Sequence, residues 1–222
     1  MTQSETVTKR VISPIAEHEL DLTWKKTRLY MRMDFARNRA NFGEQSGILT
    51  RILWRLMPNV LAVFLYRVTR FLYLKGHGSL ASIIYLFSQY LTRTELPPFS
   101  SIGPGCLIGH ATAVTIIGRV GSNFTAYGVC GVGSGYGPED IGGGPGCPVV
   151  GDNVTMAHLS MAQGAIRIGD GVTFGPHAHV TRDVPASSLV VGAPSRVQRV
   201  TVKDDAASAT ILNQADEVNH GN

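Results

Sequence analysis

The chain has 222 residues, 16% charged and 44% hydrophobic, with 25 glycines and a formal net charge of +4. That composition excludes a disordered chain, and the length suffices for one large domain or two modest ones with a real core. The charge is uneven: residues 1–95 hold 14 Lys/Arg against 7 Asp/Glu, and residues 96–222 hold 6 against 9. The basic half reads first as helices carrying solvated Arg and Lys, with a surface for an anionic partner as the alternative. No nucleic-acid partner is expected.

Residues 1–21 read as a mobile lead. They contain no apolar run of the kind a signal peptide needs. A helical domain is expected over 22–94, with helices at Trp24–Arg39, Ile48–Leu56, about Asn59–Lys75 and Leu80–Thr92, broken at Pro58 and at Gly76–Gly78. In the third, Leu61, Leu65, Val68 and Leu72 have the spacing of one buried face. Val60–Leu74 is apolar but interrupted by Arg67 and Arg70, and Leu80–Leu91 is too short to span a bilayer. No transmembrane helix is therefore expected. The basic residues flanking these segments leave a peripheral membrane contact open. Cys106, Cys130 and Cys147 have no metal-ligand spacing, and so sparse and odd a set suits a reducing cytoplasm.

At Leu96–Pro98 the helical period gives way to a period of six. Ile102, Ile108, Val114, Val120, Ala126 and Val132 are six apart, and the register resumes at Val150 through Met156, Ala162, Ile168, Phe174 and Val180. Small or apolar residues recur four later, at Cys106, Thr112, Val154, Ser160, Val172 and Ala178. Each hexad reads as a short strand plus a corner, and three hexads make one turn, so residues eighteen apart should stack. A β-helix is expected over 95–200, with a tail at 201–222. The fold class is α+β. Such coils usually cover their faces with copies of themselves, so a homotrimer is the natural assembly, with a hexamer open if the helical domains pair two trimers.

The repeat is broken once, by a Gly-rich run between Val132 and Val150. Because 132 to 150 is three hexads, the run reads as a loop that leaves the phase intact, and such loops on rigid scaffolds tend to carry function. His110 lies two residues after Ile108 and should project outward. Glu95 lies fifteen residues upstream, close to one coil turn. A carboxylate on one imidazole nitrogen fixes the tautomer and makes the other a better base.

Three stretches carry a resemblance: Glu95 to Thr112 (ELPPFSSIGPGCLIGHAT), Gly146-Cys147-Pro148 with Val150 to Asn153 (VGDN), and Val184-Pro185 with Gly192 to Arg196 (GAPSR). Together they resemble the serine acetyltransferase family over roughly residues 25–200. The similarity is nearest to the branch working in polysaccharide biosynthesis, the colanic-acid type, which shares the Glu-Leu-Pro start and the Cys-Pro after the loop. The resemblance implies a left-handed parallel β-helix, an exception to the right-handed crossover rule. It also implies acetyl-CoA as co-substrate, no metal, and a trimeric unit. His110 falls on the family's catalytic base and Glu95 on the carboxylate that orients it. Gly109, Thr112 and Cys147 fall on the acceptor side. Ala157, His158, Gly175 and Pro176 fall along the pantetheine groove, and Arg182 and Arg196 near the CoA phosphates.

Three departures bear on the acceptor. Serine enzymes carry Asp before the catalytic His, where this chain has Gly109, and a second active-site His where it has Cys147. Their Arg-Asp-Pro motif is not evident either. These differences point away from L-serine and toward a hydroxyl on a saccharide or related small molecule, with serine O-acetylation as the alternative. In the expected reaction His110 deprotonates the acceptor hydroxyl as it attacks the thioester, Glu95 supports the imidazolium, and backbone N–H groups around Ala157 and His158 steady the developing charge. An acyl-enzyme on Cys147, a zinc ion on His158, His177 and His179, and a non-catalytic β-helix scaffold are the rivals.

Overall fold

A computed structural model describes residues 19, 21–42 and 47–193. The expected lead up to residue 18, the tail at 201–222 and Arg196 lie outside them. Four helices come first: α1 (Trp24–Phe42), α2 (Ile48–Arg55), α3 (Pro58–Leu74) and α4 (Gly78–Thr92). Thr23 starts α1 by accepting the Lys26 N–H on its hydroxyl at 3.2 Å, which satisfies one orphan donor of the first turn. Pro58 does not merely interrupt; it opens α3 at the first position, where its missing N–H costs nothing. A left-handed residue, Arg93 (φ 54°), ends α4 and turns the chain into the coil.

Short strands follow in chain order: β1 (Thr94–Glu95), β2 (Ser101–Ile102), β3 (Leu107–His110), β4 (Val114–Ile116), β5 (Arg119–Val120), β6 (Thr125–Tyr127) and β7 (Gly131–Gly133). Beyond the Gly-rich loop come β8 (Val149–Val150), β9 (Thr155–Met156), β10 (Met161–Gln163), β11 (Arg167–Ile168), β12 (Thr173–Phe174), β13 (His179–Val180) and β14 (Leu189–Val190). They form three parallel sheets, ordered β1-β4-β7-β10-β13 (sheet I), β11-β8-β5-β2 (sheet II) and β14-β12-β9-β6-β3 (sheet III). This is the expected β-helix, and all twelve hexad positions from Ile102 to Val180 are buried inside it. At four residues later, Cys106, Val154, Ser160, Val172 and Ala178 are buried too, but Thr112 is exposed.

The coil length is less uniform than the period suggests. Ser101 pairs with Arg119, Leu107 with Thr125 and Met161 with His179, each eighteen apart. Across the loop, Arg119 pairs with Val149 and Gly131 with Met161, thirty apart. Val132 and Val150 therefore sit on successive sheets, and the segment between them is one hexad plus a twelve-residue excursion rather than three hexads in phase. The second irregularity precedes β4. Ile116, not Val114, is in register with Val132, and β3 shifts register against β6 between Ile108 and His110.

The expected buried stripe on α3 needs correction. Leu61, Leu65, Val68 and Leu72 are only half-buried, whereas Asn59, Val63, Tyr66, Arg67 and Arg70 are fully buried. The latter face meets the open first turn of the coil, whose backbone lacks a preceding strand. Tyr66 donates its hydroxyl to Ser100 O at 2.8 Å and accepts the Ile102 N–H. Arg67 donates to Ile102 O and Gly103 O, Arg70 to Pro98 O and Phe99 O, and Asn59 to Ile108 O. From α1, Arg37 donates to Gly105 O and Phe124 O, and Asp34 accepts the Cys106 N–H. Arg67 is paired with Asp34 at 2.8 Å. Burial pulls the Arg67 guanidinium's pKa down, but Asp34 outweighs it and the net shift is upward. The basic residues read as solvated are thus partly structural: polar α1 and α3 side chains finish the coil edge, because an unpaired buried carbonyl costs about 1–3 kcal/mol. Glu19 joins this layer by pairing with Arg70 at 2.9 Å, so the described structure begins inside the expected lead. No helix among the described residues is long and apolar enough to cross a membrane.

Candidate active site

His110 ends β3 at the corner between sheets III and I. His110 is the third residue of its hexad, where the chain leaves the strand for the corner, and its side chain is exposed, as are those of Asp152, His158 and Asp170 at the same hexad position. The register of β3 against β6 shifts between Ile108 and His110, so that His110 is opposite Tyr127.

Tyr127 was not singled out by the sequence, although it lies one coil turn after Gly109. A β-carbon on Gly109 would lie 2.5 Å from Tyr127 Cδ1 and 3.0 Å from Cε1. The tyrosine ring thus covers the place where a side chain at 109 would stand. Gly128, next in the chain, has a left-handed backbone (φ 55°). A β-carbon there would lie 3.2 Å from His110 Cβ and 3.5 Å from His158 Nδ1. The two histidines therefore flank Gly128 along the corner. The His177 N–H donates to His158 O at 3.1 Å, and a β-carbon on Gly192 would abut Pro176 O and His177. Residues 110, 128, 158, 177 and 192 follow one another along one edge of the coil.

Glu95 does not hold His110. Its carboxylate accepts from the Thr115 hydroxyl at 3.2 Å and the Tyr85 hydroxyl at 3.5 Å. The reason is register: Glu95 stands over Thr115 on sheet I, past the corner, twenty residues away rather than eighteen. Burial and then Glu95 raise the Tyr85 phenol to about 12, so it remains a donor to the carboxylate.

Cys147 lies elsewhere. It closes the loop at the corner between sheets I and II, buried, with its thiol toward Pro145 O at 3.4 Å. Asp140 shapes this loop by accepting the Gly142 and Gly144 N–H groups at 2.8 and 3.0 Å. Burial, with Asp140 second, raises the Cys147 thiol above its ordinary value. That is the wrong direction for a nucleophile. Within one chain, Cys147 and His110 occupy different corners of the coil.

Of the residues expected along the donor groove, Ala157 spends its N–H on Phe174 O at 3.0 Å and Gly175 on Val190 O at 2.8 Å. Ala157 therefore offers no N–H to a reacting oxygen, contrary to expectation. Pro176 is exposed on the His158 corner, whereas Arg182 is exposed on the turn from sheet I to sheet II, away from it. His179 stands on sheet I opposite Met161, away from the corner that holds His158 and His177. Among the described residues, no group of three or more His, Cys, Asp or Glu could hold a metal.

Helices followed by a hexad-repeat coil with an exposed histidine at one corner define the class of hexapeptide-repeat β-helix proteins. No family model matches the chain. A serine acetyltransferase of Mycobacterium tuberculosis is 36% identical over 143 residues, covering 63% of this chain and 60% of that one. One of Helicobacter pylori is 30% identical over 146 residues, covering 64% of this chain and 81% of its own. The chain belongs to the serine acetyltransferase family. It spans about three fifths of several of these relatives, such as 62% of the Bacillus subtilis protein. Among solved structures, serine acetyltransferase of Neisseria gonorrhoeae in complex with serine superposes with TM-score 0.67 at 21% identity, over 82% of this chain and 73% of that one. That of Brucella abortus in complex with coenzyme A gives 0.66 at 18%, over 82% and 71%. At these identities the superpositions speak for the fold: helices and then a left-handed parallel β-helix.

Proposed function

We propose that the chain is an acetyl-CoA-dependent O-acetyltransferase with His110 as general base. The observation that carries this reading is the exposed His110 at the coil corner, beside His158 across Gly128, in a chain whose relatives are named serine acetyltransferases. The acceptor hydroxyl gives its proton to the imidazole as its oxygen attacks the thioester carbonyl, and the CoA thiolate leaves. With the Ala157 N–H consumed by the coil, the His158 side of that corner is left to steady the developing charge. Glu95 supports the imidazolium after exchanging one of its two hydroxyl partners, since catalytic hydrogen bonds often tighten only with substrate bound. Arg182 and Arg196 are the proposed phosphate contacts.

For the acceptor, the relatives favour L-serine. The saccharide reading and the polysaccharide branch find no named relative among these comparisons; they rest on Gly109 and Cys147 and form the second reading. The assembly is a trimer of coils, with the loop carrying Cys147 reaching the His110 corner of a neighbour. The exposed α4 face of Ile83, Phe87 and Tyr90 supports pairing of two trimers into a hexamer. Three free thiols support a cytoplasmic setting.

The test is CoA-thiol release from acetyl-CoA with L-serine, sugar nucleotides and glycans. We expect turnover with L-serine, and a loss of about 10²-fold or more in His110→Ala at unchanged thermal unfolding. Near-normal turnover in that variant would falsify the assignment of the base.

A further inference from the structure

We propose that the Tyr127 ring is the acceptor-recognition surface beside His110, holding the acceptor's ammonium against its π face where a carboxylate would ordinarily do so. This inference rests on the L-serine reading above. Its starting point is that the bare Gly109 and the tyrosine are one structural feature. The ring's Cδ1–Cε1 edge occupies the space a side chain at 109 would need, at 2.5 and 3.0 Å from its first carbon. An acidic residue at 109 is therefore excluded while the ring is in place. The ring is 37% exposed, so part of it is open beside the exposed His110 that it pairs with across the bulge.

An α-amino acid brings a cation into this corner, and the cation needs a partner. The nearby carboxylates of the same chain have other work. Glu95 is engaged by Thr115 and Tyr85 on sheet I. Asp34 is buried against Arg67. Asp152 and Asp170 accept backbone N–H groups of Ser122 and Asp152 along the corner between sheets II and III. What the His110 corner does offer is an aromatic face, whose quadrupole attracts an ammonium within about 6 Å of the ring centroid. The placement also suits the chemistry. The serine ammonium and hydroxyl are on adjacent carbons, and Tyr127 and His110 are paired neighbours on adjacent strands.

The experiment measures KM and kcat for L-serine at saturating acetyl-CoA, alongside 3-hydroxypropanoate, which keeps the hydroxyl and carboxylate but lacks the ammonium. Tyr127→Leu should raise the KM for L-serine about tenfold with kcat little changed, and leave the KM for 3-hydroxypropanoate alone. Tyr127→Phe should keep the wild-type KM, because the ring and not the hydroxyl does the binding. Gly109→Asp alone should be impaired, since the ring must be expelled. The double variant Gly109→Asp/Tyr127→Leu should lower the L-serine KM from its Tyr127→Leu value, because the new carboxylate takes over the ammonium, and should leave the KM for 3-hydroxypropanoate unmoved. An unchanged L-serine KM in Tyr127→Leu, or an equal rise for both acceptors, overturns the inference and leaves the serine reading standing. If the wild-type protein acetylates a saccharide and not L-serine, both fall.

Discussion

At the residue scale, the proposed base and the suspected nucleophile separate cleanly. His110 is exposed at the corner between sheets III and I. Cys147 is buried in a loop on another corner, with its thiol pKa raised by burial and by Asp140. A thiol held protonated attacks a thioester slowly. Cys147→Ala should therefore retain turnover within a few-fold, and wild-type protein incubated with radiolabelled acetyl-CoA should retain no label after denaturing gel filtration. Trapped label lost in the alanine variant would restore the acyl-enzyme. Glu95 is legible as a partner of His110 from spacing and from the family resemblance, and the structure pairs it with Thr115 and Tyr85. Fifteen residues look close to a turn of eighteen, but the first turn pairs at twenty and carries the carboxylate past the corner. Tyr127 was readable in principle, being eighteen after Gly109. The apolar period marks the buried hexad column and leaves the outward column beside it without a signal.

At the element scale, the coil's period was written in the sequence and its cap was not. Buried aliphatics at every sixth position announce themselves; a helix face bearing Asn59, Tyr66, Arg67 and Arg70 looks solvated until an edge of unpaired carbonyls is placed against it. Arg67→Met leaves the Asp34 carboxylate buried without its partner and frees two carbonyls. It should cost about 3–5 kcal/mol in urea-induced unfolding. A surface change such as Arg119→Met should cost about 0.5 kcal/mol or less. The same layer makes stability sensitive to alkali. Burial raises the Cys106 and Cys130 thiols from 9.0, and the Tyr66 phenol from 10.0, each to about 12. The fold favours their neutral forms, so this stabilisation is complete below the unfolded values and drains away as pH rises toward the folded ones. The unfolding midpoint should be flat with respect to these groups up to about pH 9 and fall from there toward pH 12. Cys106→Ala should make that decline shallower; an unchanged slope would mean the thiol is not buried.

At the scale of the whole molecule, the site reads as unfinished within one chain. The His110 corner has the proposed base and an aromatic ring, while the loop bearing Cys147 projects from another corner of the same coil. Equilibrium sedimentation should give three or six times the chain mass. Mixing His110→Ala protein with a loop-deleted variant should restore part of the turnover if each site draws on two copies. A monomeric, fully active protein would contradict the assembly.

The sequence alone determined the two-part architecture, the four helices with ends at most three residues off, the buried column of the coil and the candidacy of His110. These depend on local period, and period survives in one dimension because each coil turn repeats the same burial. Only the tertiary structure decided what lies across the coil. It put Tyr127 over Gly109, His158 beside His110, Glu95 on the next sheet and the Asp34–Arg67 pair at the open edge. Those contacts depend on how many residues each turn contains, and insertions at Gly109 and in the loop change that number without disturbing the apolar repeat that reveals the fold.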